Sequence, residues 1–378
     1  MEALFIGVSL PASVGFCRQI LTGVRAGCTA RGLGMNILSD SGSIGPPRNE
    51  HQHNLPPLAG IVAHISTPEE FTAWSRLSPH VVGTSNRCAA RNFPKIINDE
   101  TAIGRMGAEH LLSLGLRRLV FLDKRAMAFS QARRDGFILA AREAGVQVAS
   151  IGFGRSEELS GIGHELLKMT PPVGVMAESD MTARAFIEQM PDFRKVVPHR
   201  IAVLGVDDDS LQNALSPVEL SSVRPNGQEI GVRAAEWVLS LNKGLPCPPE
   251  PVQVRPIRVI ERASTNVLAI SDPVVARAVR LMRDRVAEFR DVKDVLRALG
   301  MQRRALEKRF QKVYHRSIAS ELTHARLNTA RSLLESTNLS INEIADLVGY
   351  PEYRLLTLAF KRLTGEPPSA YRKRVRGG

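Results

Sequence analysis

Two short stretches in the last quarter of the chain carry side chains able to read a nucleic acid. After Gly300 come Gln302, Arg303 and Arg304, then Lys308 and Arg309. After Gly349 come Glu352, Tyr353, Arg354 and Thr357, then Lys361 and Arg362. A guanidinium can donate to guanine O6 and N7 together, and a glutamine amide pairs with adenine in the same bidentate way. Lysines and arginines further along such a helix suit phosphate oxygens, which supply affinity without sequence choice. Residue type alone leaves Arg303 and Arg304 two roles, base edge or phosphate. It leaves Glu352 either reading a base or complementing a helix dipole.

These side chains reach a groove only from the first turns of a helix that a second helix presents. The pattern supplies both. "DVKDVLRAL" (291–299) reads as a short helix ending at Gly300, a left-handed C-cap, and "MQRRALEKRF" starts the next one at once. Two short helices joined by a glycine turn form a helix-turn-helix. "SINEIADLVGYPEYRLLTLAFKRLTG" (340–365) repeats the plan, with Gly349 in its turn and Ser340 and Glu343 as a capping box. Leu306, Phe310, Ile344, Leu347 and Phe360 are expected in the helical core, and Leu355, Leu356, Phe360 and Leu363 are expected to face inward. Between the units lies a helix of about eighteen residues, 318–335, roughly 27 Å long, which would hold two reading helices about one DNA turn (~34 Å) apart. Upstream, Asp272 is placed to cap a helix that Pro273 opens and that runs to 289, with Val275, Val279, Met282 and Val286 on one stripe.

Charge follows the same division. The chain has 378 residues and a net charge of +12, with 43% hydrophobic and 23% charged residues. Residues 273–378 hold 22 Lys+Arg against 11 Asp+Glu, while the rest is balanced at 28 against 27. A basic nucleic-acid-binding module joined to a near-neutral partner domain accounts for this asymmetry. Cys17, Cys28, Cys88 and Cys247 have no metal-ligand spacing and read as isolated thiols, so no metal and no cofactor are expected. The opening "MEALFIGVSL" lacks a basic n-region and a long apolar run, and no stretch is long enough to span a bilayer. The expectation is a cytoplasmic protein without membrane contact.

Residues 1–262 alternate short apolar runs with amphipathic stretches. Strands are expected at 4–10, 35–38, 58–65, 81–84, 119–122, 146–151, 173–177 and 201–206. Helices are expected at 14–30, 69–77, 101–114, 130–144, 157–169, 180–190 and 226–242. Such alternation implies parallel sheets covered on both faces, with ligands beyond the carboxyl ends of the strands. Three segments, "INDETAIGRMGAEHLLSLGLRRLVFL" (97–122), "ARRDGF" (132–137) and "VLGVDDDSLQNALSPVELSSVRPNGQEIGVRAAEWVL" (203–239), resemble LacI-type regulators and periplasmic sugar-binding proteins in the same order. The resemblance implies an α/β periplasmic-binding-protein-like sensor, residues 1–262, with the ligand between two lobes. One lobe would hold 1–97 plus 224–244, the other 98–223 plus 245–262. No helix-turn-helix precedes the first strand, unlike LacI, and the Pro-rich stretch 46–57 reads as a loop. It also carries Arg133, in "RRDGF", and Asp207, after the strand "IAVLGV", onto ligand-contacting positions. A carboxylate accepts from two hydroxyls and a guanidinium donates to two oxygens. Asp180, opening a helix after "GVMA", is a third candidate ligand contact, with a helix cap as its other reading. Asp208, Asp209 and Arg134 read as solvated neighbours.

After a linker at 263–272, residues 273–378 resemble the AraC family throughout, in "LEKRF", "RSLLESTNLSINEIADLVGYP" and "PPSAYRK". The family often has an aromatic where Leu356 stands. Within it, "VRPIRVIERAST" (254–265), "LEKRF" and "LSINEI" resemble the xylose operon regulators. The resemblance implies an all-α tandem helix-turn-helix behind the sensor, and a sugar effector, D-xylose first and another aldose or a non-sugar second. It further implies double-stranded DNA, a second copy of the chain and RNA polymerase as partners. An enzyme is not expected: there is no glycine-rich phosphate loop, no G-x-S-x-G and no metal-type cluster. "GFGRSEELSG" (152–161) lacks the rest of a dinucleotide pattern, and the histidines, such as His51, His53 and His110, are scattered. A transport binding protein would fit the sensor but not the paired basic readers.

Overall fold

The computed structural model describes residues 4–39, 55–87, 93–125, 127–248, 250–267, 272–313, 317–364 and 366–376. Most of the Pro-rich stretch, His51, His53 and Cys88 lie outside these residues. The chain divides into two compact units, Met1–Val267 and Leu268–Gly378.

The first unit runs β1 (Phe5–Ser9), α1 (Gly15–Thr29), β2 (Gly34–Ser39), β3 (Leu58–Ala63), α2 (Pro68–Leu77), β4 (Val81–Gly83), β5 (Ile96–Asn98), α3 (Glu100–Ser113), β6 (Leu119–Lys124), α4 (Ala128–Glu143), β7 (Val148–Phe153), α5 (Glu158–Lys168), β8 (Val173–Ala177), α6 (Asp180–Glu188), α7 (Phe193–Val196), β9 (Ile201–Val206), α8 (Ser210–Leu215), β10 (Ser221–Arg224), α9 (Gly227–Asn242), β11 (Val252–Val254) and β12 (Arg258–Ile260). Strands β3, β8 and β9 are almost wholly buried, because helices cover both faces of a parallel sheet. One sheet has the order β2-β1-β3-β4, all parallel; a Gly83–Lys95 bridge leads to β5, which pairs with β11. The second sheet has the order β12-β10-β9-β8-β6-β7, with only β12 antiparallel. Two lobes result, each with its own apolar core, one around Ile6, Ile20 and Ile230, the other around Val175, Phe186 and Val203.

One expectation needs correction. The stretch 245–262 does not lie wholly with the second lobe, since β11 pairs with β5 beside the first sheet and only β12 joins the second. The chain crosses between lobes there, and a three-residue strand has no periodicity by which to predict it.

The second unit is helical: α10 (Pro273–Asp284), α11 (Val292–Leu299), α12 (Arg303–Val313), α13 (Ile318–Ser336), α14 (Ile341–Leu347), α15 (Tyr353–Thr364) and α16 (Pro368–Arg376). Asp272 caps α10 through the Val274 and Val275 amides. The helix stops at Asp284, and a 3-10 turn at Val286–Glu288 follows. Gly300 (φ +66°) and Gly349 (φ +78°) adopt the left-handed conformation that turns each hairpin. Capping boxes open α11 (Asp291, Asp294) and α14 (Ser340, Glu343).

Candidate ligand cavity and DNA-reading helices

Helices α3 and α4 cross in backbone contact. A Cβ on Gly104 would stand 1.8 Å from the Arg133 carbonyl oxygen, and one on Gly136 would stand 2.1 Å from that of Thr101. Only glycine allows this approach. It brings Glu100, the first residue of α3, against Arg133 in α4, with Nε donating to Oε2 at 2.5 Å. The same guanidinium donates through Nη1 to the Glu178 carbonyl and lies 5.0 Å from the Phe129 ring centre. Its Nη2 has no acceptor among the described residues.

Facing it is the turn that follows β9. Asp207 (φ 109°) and Asp208 (φ 49°) both occupy backbone conformations that cost roughly 1–3 kcal/mol unless their surroundings impose them. Here they do. The Asp207 amide donates to Val223 O at 3.0 Å, and Gln19 of α1 donates to Asp207 O at 2.8 Å. The Asp208 amide donates to Ser222 Oγ, and its carboxylate takes Arg224 at 2.5 Å and Arg262 at 2.7 Å. The Asp209 amide donates to Asp180 at 2.8 Å, and the Asp209 carboxylate takes Arg18 of α1 at 2.5 Å. The Asp207 side chain is thereby held toward a cavity of about 170 Å³. Burial pushes its pKa up to about 7; Arg133 lowers it, while Glu100, Glu178 and Asp209 raise it. The remaining wall combines apolar Val14, Phe16, Met127 and Phe129 with Arg87 and Lys124. Aromatic surface beside a guanidinium and a carboxylate is a chemistry suited to a polyhydroxylated ring.

In the second unit Gln302, Arg303, Arg304, Lys308 and Arg309 are exposed along α12 and its entry. Glu352, just before α15, and Tyr353, Arg354, Lys361 and Arg362 on it are exposed, and Thr357 is half-buried, its hydroxyl on the Tyr353 carbonyl at 2.9 Å. Two of the arginines already have partners: Arg303 pairs with Glu307 at 2.8 Å, and Arg309 with Asp272 at 2.7 Å.

Known proteins place both units. Residues 108–265 match the periplasmic binding protein-like domain family, and residues 295–374 match the helix-turn-helix domain family. The Xylose operon regulatory protein of Escherichia coli K12 is 29% identical over 328 residues, 83% of each chain. That of Haemophilus influenzae is 29% identical over 330 residues, 83% of this chain and 85% of its own. A solved structure of a xylose-binding transcription activator, xylR, superposes with a TM-score of 0.58 and 26% identity, covering 98% of this chain and 97% of that one.

The chain is similar to the xylose operon regulators over most of its length. It shares their architecture, a periplasmic-binding-protein-like sensor followed by an AraC-type helix-turn-helix region.

Arg133, Asp207 and Asp180 come together at one cavity, and of the two readings of Asp180 the helix cap does not hold. Ser179, not Asp180, caps α6, accepting from the Thr182 amide at 3.3 Å. Asp180 is buried, with one oxygen committed to the Asp209 amide and the other unpartnered. Burial and the neighbouring Asp207 raise its pKa well above the ordinary range. Asp208 and Asp209 are not solvated loop charges, since both are ion-paired, and Arg134 pairs with Asp123 at 2.7 Å. Among the apolar residues, Leu347, Leu355 and Leu363 are 46%, 45% and 42% exposed, against the expectation that they face inward. Only Leu356 and Phe360, one turn apart, lie on the buried stripe of α15. Sequence reasoning missed Arg18, Gln19, Glu100 and Phe129. Glu100 resembles any first-turn acid, and the α1 contacts join residues 188 and 191 positions apart.

Proposed function

We propose that the chain is a sugar-responsive, DNA-binding transcription regulator whose effector is D-xylose, bound between the sensor lobes. The observation that carries this reading is the match along 98% of the chain to a xylose-binding activator. The Arg133–Glu100 pair facing Asp207 across a cavity part-walled by phenylalanine supports the sugar site. In this reading Arg133 Nη2 donates to a ring or hydroxyl oxygen, Asp207 accepts from hydroxyls, and Phe129 packs against a sugar face. The exposed first turns of α12 and α15 carry Gln302, Arg303, Arg304, Glu352, Tyr353 and Arg354 to base edges; Lys308, Lys361 and Arg362 hold phosphates. The protein acts as a homodimer in the cytoplasm, contacts RNA polymerase as an activator, and has no catalytic step. Among the described residues no helix is long and apolar enough to cross a membrane.

The test is a thermal-shift screen against aldoses, followed by DNA binding with and without the responding sugar. D-xylose at a hundred times its dissociation constant should stabilise the sensor by about 2.7 kcal/mol. If a folded chain responds to no aldose, the sugar assignment fails; if it binds duplex DNA only as a polycation of its charge would, the regulator assignment fails.

A further inference from the structure

The second unit contains two separate apolar cores. The first gathers Val275, Val279, Met282, Val295, Leu306 and Phe310, with Ile318 and Leu322 from the start of α13. The second gathers Ile344, Val348, Leu356 and Phe360, with Leu327, Ala330 and Leu334 from the rest of α13. Each core therefore stabilises one helix-turn-helix and takes its own stretch of α13. The two cores share α13, and the contacts that join one reader to the other lie beside it.

Arg326 lies on α13 at the junction of those stretches. It is 7% exposed and hydrogen-bonds backbone carbonyls, with Asp291 and Asp294 acting on it only through space. Its Nη2 donates to the Phe289 carbonyl and, at 2.8 Å, to the Arg290 carbonyl. Those carbonyls belong to the segment leading into α11 of the first reader. The same guanidinium lies 5.0 Å from the ring centre of Tyr350, in the turn of the second reader. Gly349 beside it packs against the same segment: a Cβ there would meet Phe289 O and Val286 O at 3.0 Å. One buried cation thus touches the entry of one reader and the turn of the other. Burying a charge is costly, and the fixed carbonyl dipoles and the ring face, with the Asp291 and Asp294 carboxylates nearby, offset that cost in the arrangement seen here.

We propose that Arg326 is the positioning residue that sets the phase between the two DNA-reading helices, so that both enter the groove at one spacing. It touches no base; it acts through Phe289, Arg290 and Tyr350. The inference rests on the reading of α12 and α15 as paired DNA readers.

The test uses the full chain in the presence of D-xylose. Wild type first selects duplexes from a randomised pool, and the selected two-half duplex is compared with versions having one half scrambled or five base pairs inserted between halves. A rigidly linked pair gains on the order of 100-fold or more over either half alone, and a half-turn insertion removes that gain. Arg326→Met should bind each single half within about threefold of wild type. Its two-half advantage should fall to about tenfold or less, and the inserted spacing should no longer matter to it. Arg326→Lys, which keeps a cation for the same carbonyls, should recover a clear part of both. If the Met variant keeps the wild-type spacing penalty, the inference is overturned. If single-half and two-half binding fall together in both variants, Arg326 is only a fold-supporting residue and the inference is overturned likewise. If wild type itself selects one unbroken half, the paired-reader reading fails first, an outcome visible before any variant is made.

Discussion

Asp207 offers the sharpest test of the ligand cavity, because its carboxyl titrates where experiments are easily done. Burial among Glu100, Glu178 and Asp209 raises its pKa to about 7. A sugar hydroxyl donates more strongly to the ionised form than to the neutral acid, whose carbonyl oxygen still accepts. At pH 8 about nine sites in ten are ionised and at pH 6 about one in ten, so D-xylose affinity should fall by up to about tenfold over that interval, or ~1.4 kcal/mol. Asp207→Asn keeps the size and tolerates the positive φ, but cannot titrate. It should bind about 10- to 150-fold more weakly at pH 8, from ~1.5–3 kcal/mol for a charged hydrogen bond, with affinity flat across pH. Folding stability should move the opposite way. A carboxyl whose folded pKa is raised binds its proton more tightly when folded, so its contribution falls as pH rises from about 4 to about 7. The rise from 3.8 to about 7 corresponds to at most ~4 kcal/mol, lost over that window. The unliganded sensor should therefore melt higher at pH 5 than at pH 7.5, less so in Asp207→Asn. Calorimetric titration at pH 6, 7 and 8 reads affinity, and scanning calorimetry reads stability. A wild-type affinity independent of pH, or an Asn variant with the wild-type slope, would refute Asp207 as the titrating contact.

Three further outcomes follow from other contacts. Arg18→Ala removes the ion pair that joins α1 to Asp209, and D-xylose affinity should fall roughly 3- to 10-fold by titration calorimetry while sugar-free DNA binding stays unchanged. Arg304→Ala should relax preference at one base pair and cost ~1–3 kcal/mol in binding-site selection, whereas Lys361→Ala should weaken all sequences alike and lower the log–log salt slope by about one. Gly300→Ala puts a side chain at φ +66°, costs ~1 kcal/mol, and should lower the calorimetric transition of the helical unit by roughly 4–8 °C.

The helical unit was legible in sequence because its signals are local. Caps, glycine turns and 3.6-residue periodicity all act within a few residues, so Asp272, Gly300, Ser340 and Gly349 announce their elements directly. The same locality explains the errors at Leu347, Leu355 and Leu363. Periodicity tells that a helix is amphipathic, but not how wide a face its neighbours cover, and here α15 packs along little more than the Leu356–Phe360 stripe. The alternating strands and helices of the sensor were equally local, and family resemblance singled out Arg133 and Asp207, which line one cavity.

What sequence could not supply is everything that depends on two distant segments meeting. Glu100 neutralises Arg133 only because Gly104 and Gly136 let α3 and α4 touch. Asp207 faces the cavity only because Val223 and Ser222 of β10, Asp180 of α6 and Gln19 of α1, three separate elements, hold an unfavourable turn in place. Arg326 looks like one more arginine on a basic helix until Phe289 and Tyr350 close around it. Local hydrogen bonding and hydrophobic periodicity are written along the chain, so composition and pattern determined the elements and the kind of protein. Burial, ion pairing and backbone strain arise between segments, so the charge states, the partners and the geometry of both sites were decided only when the chain folded.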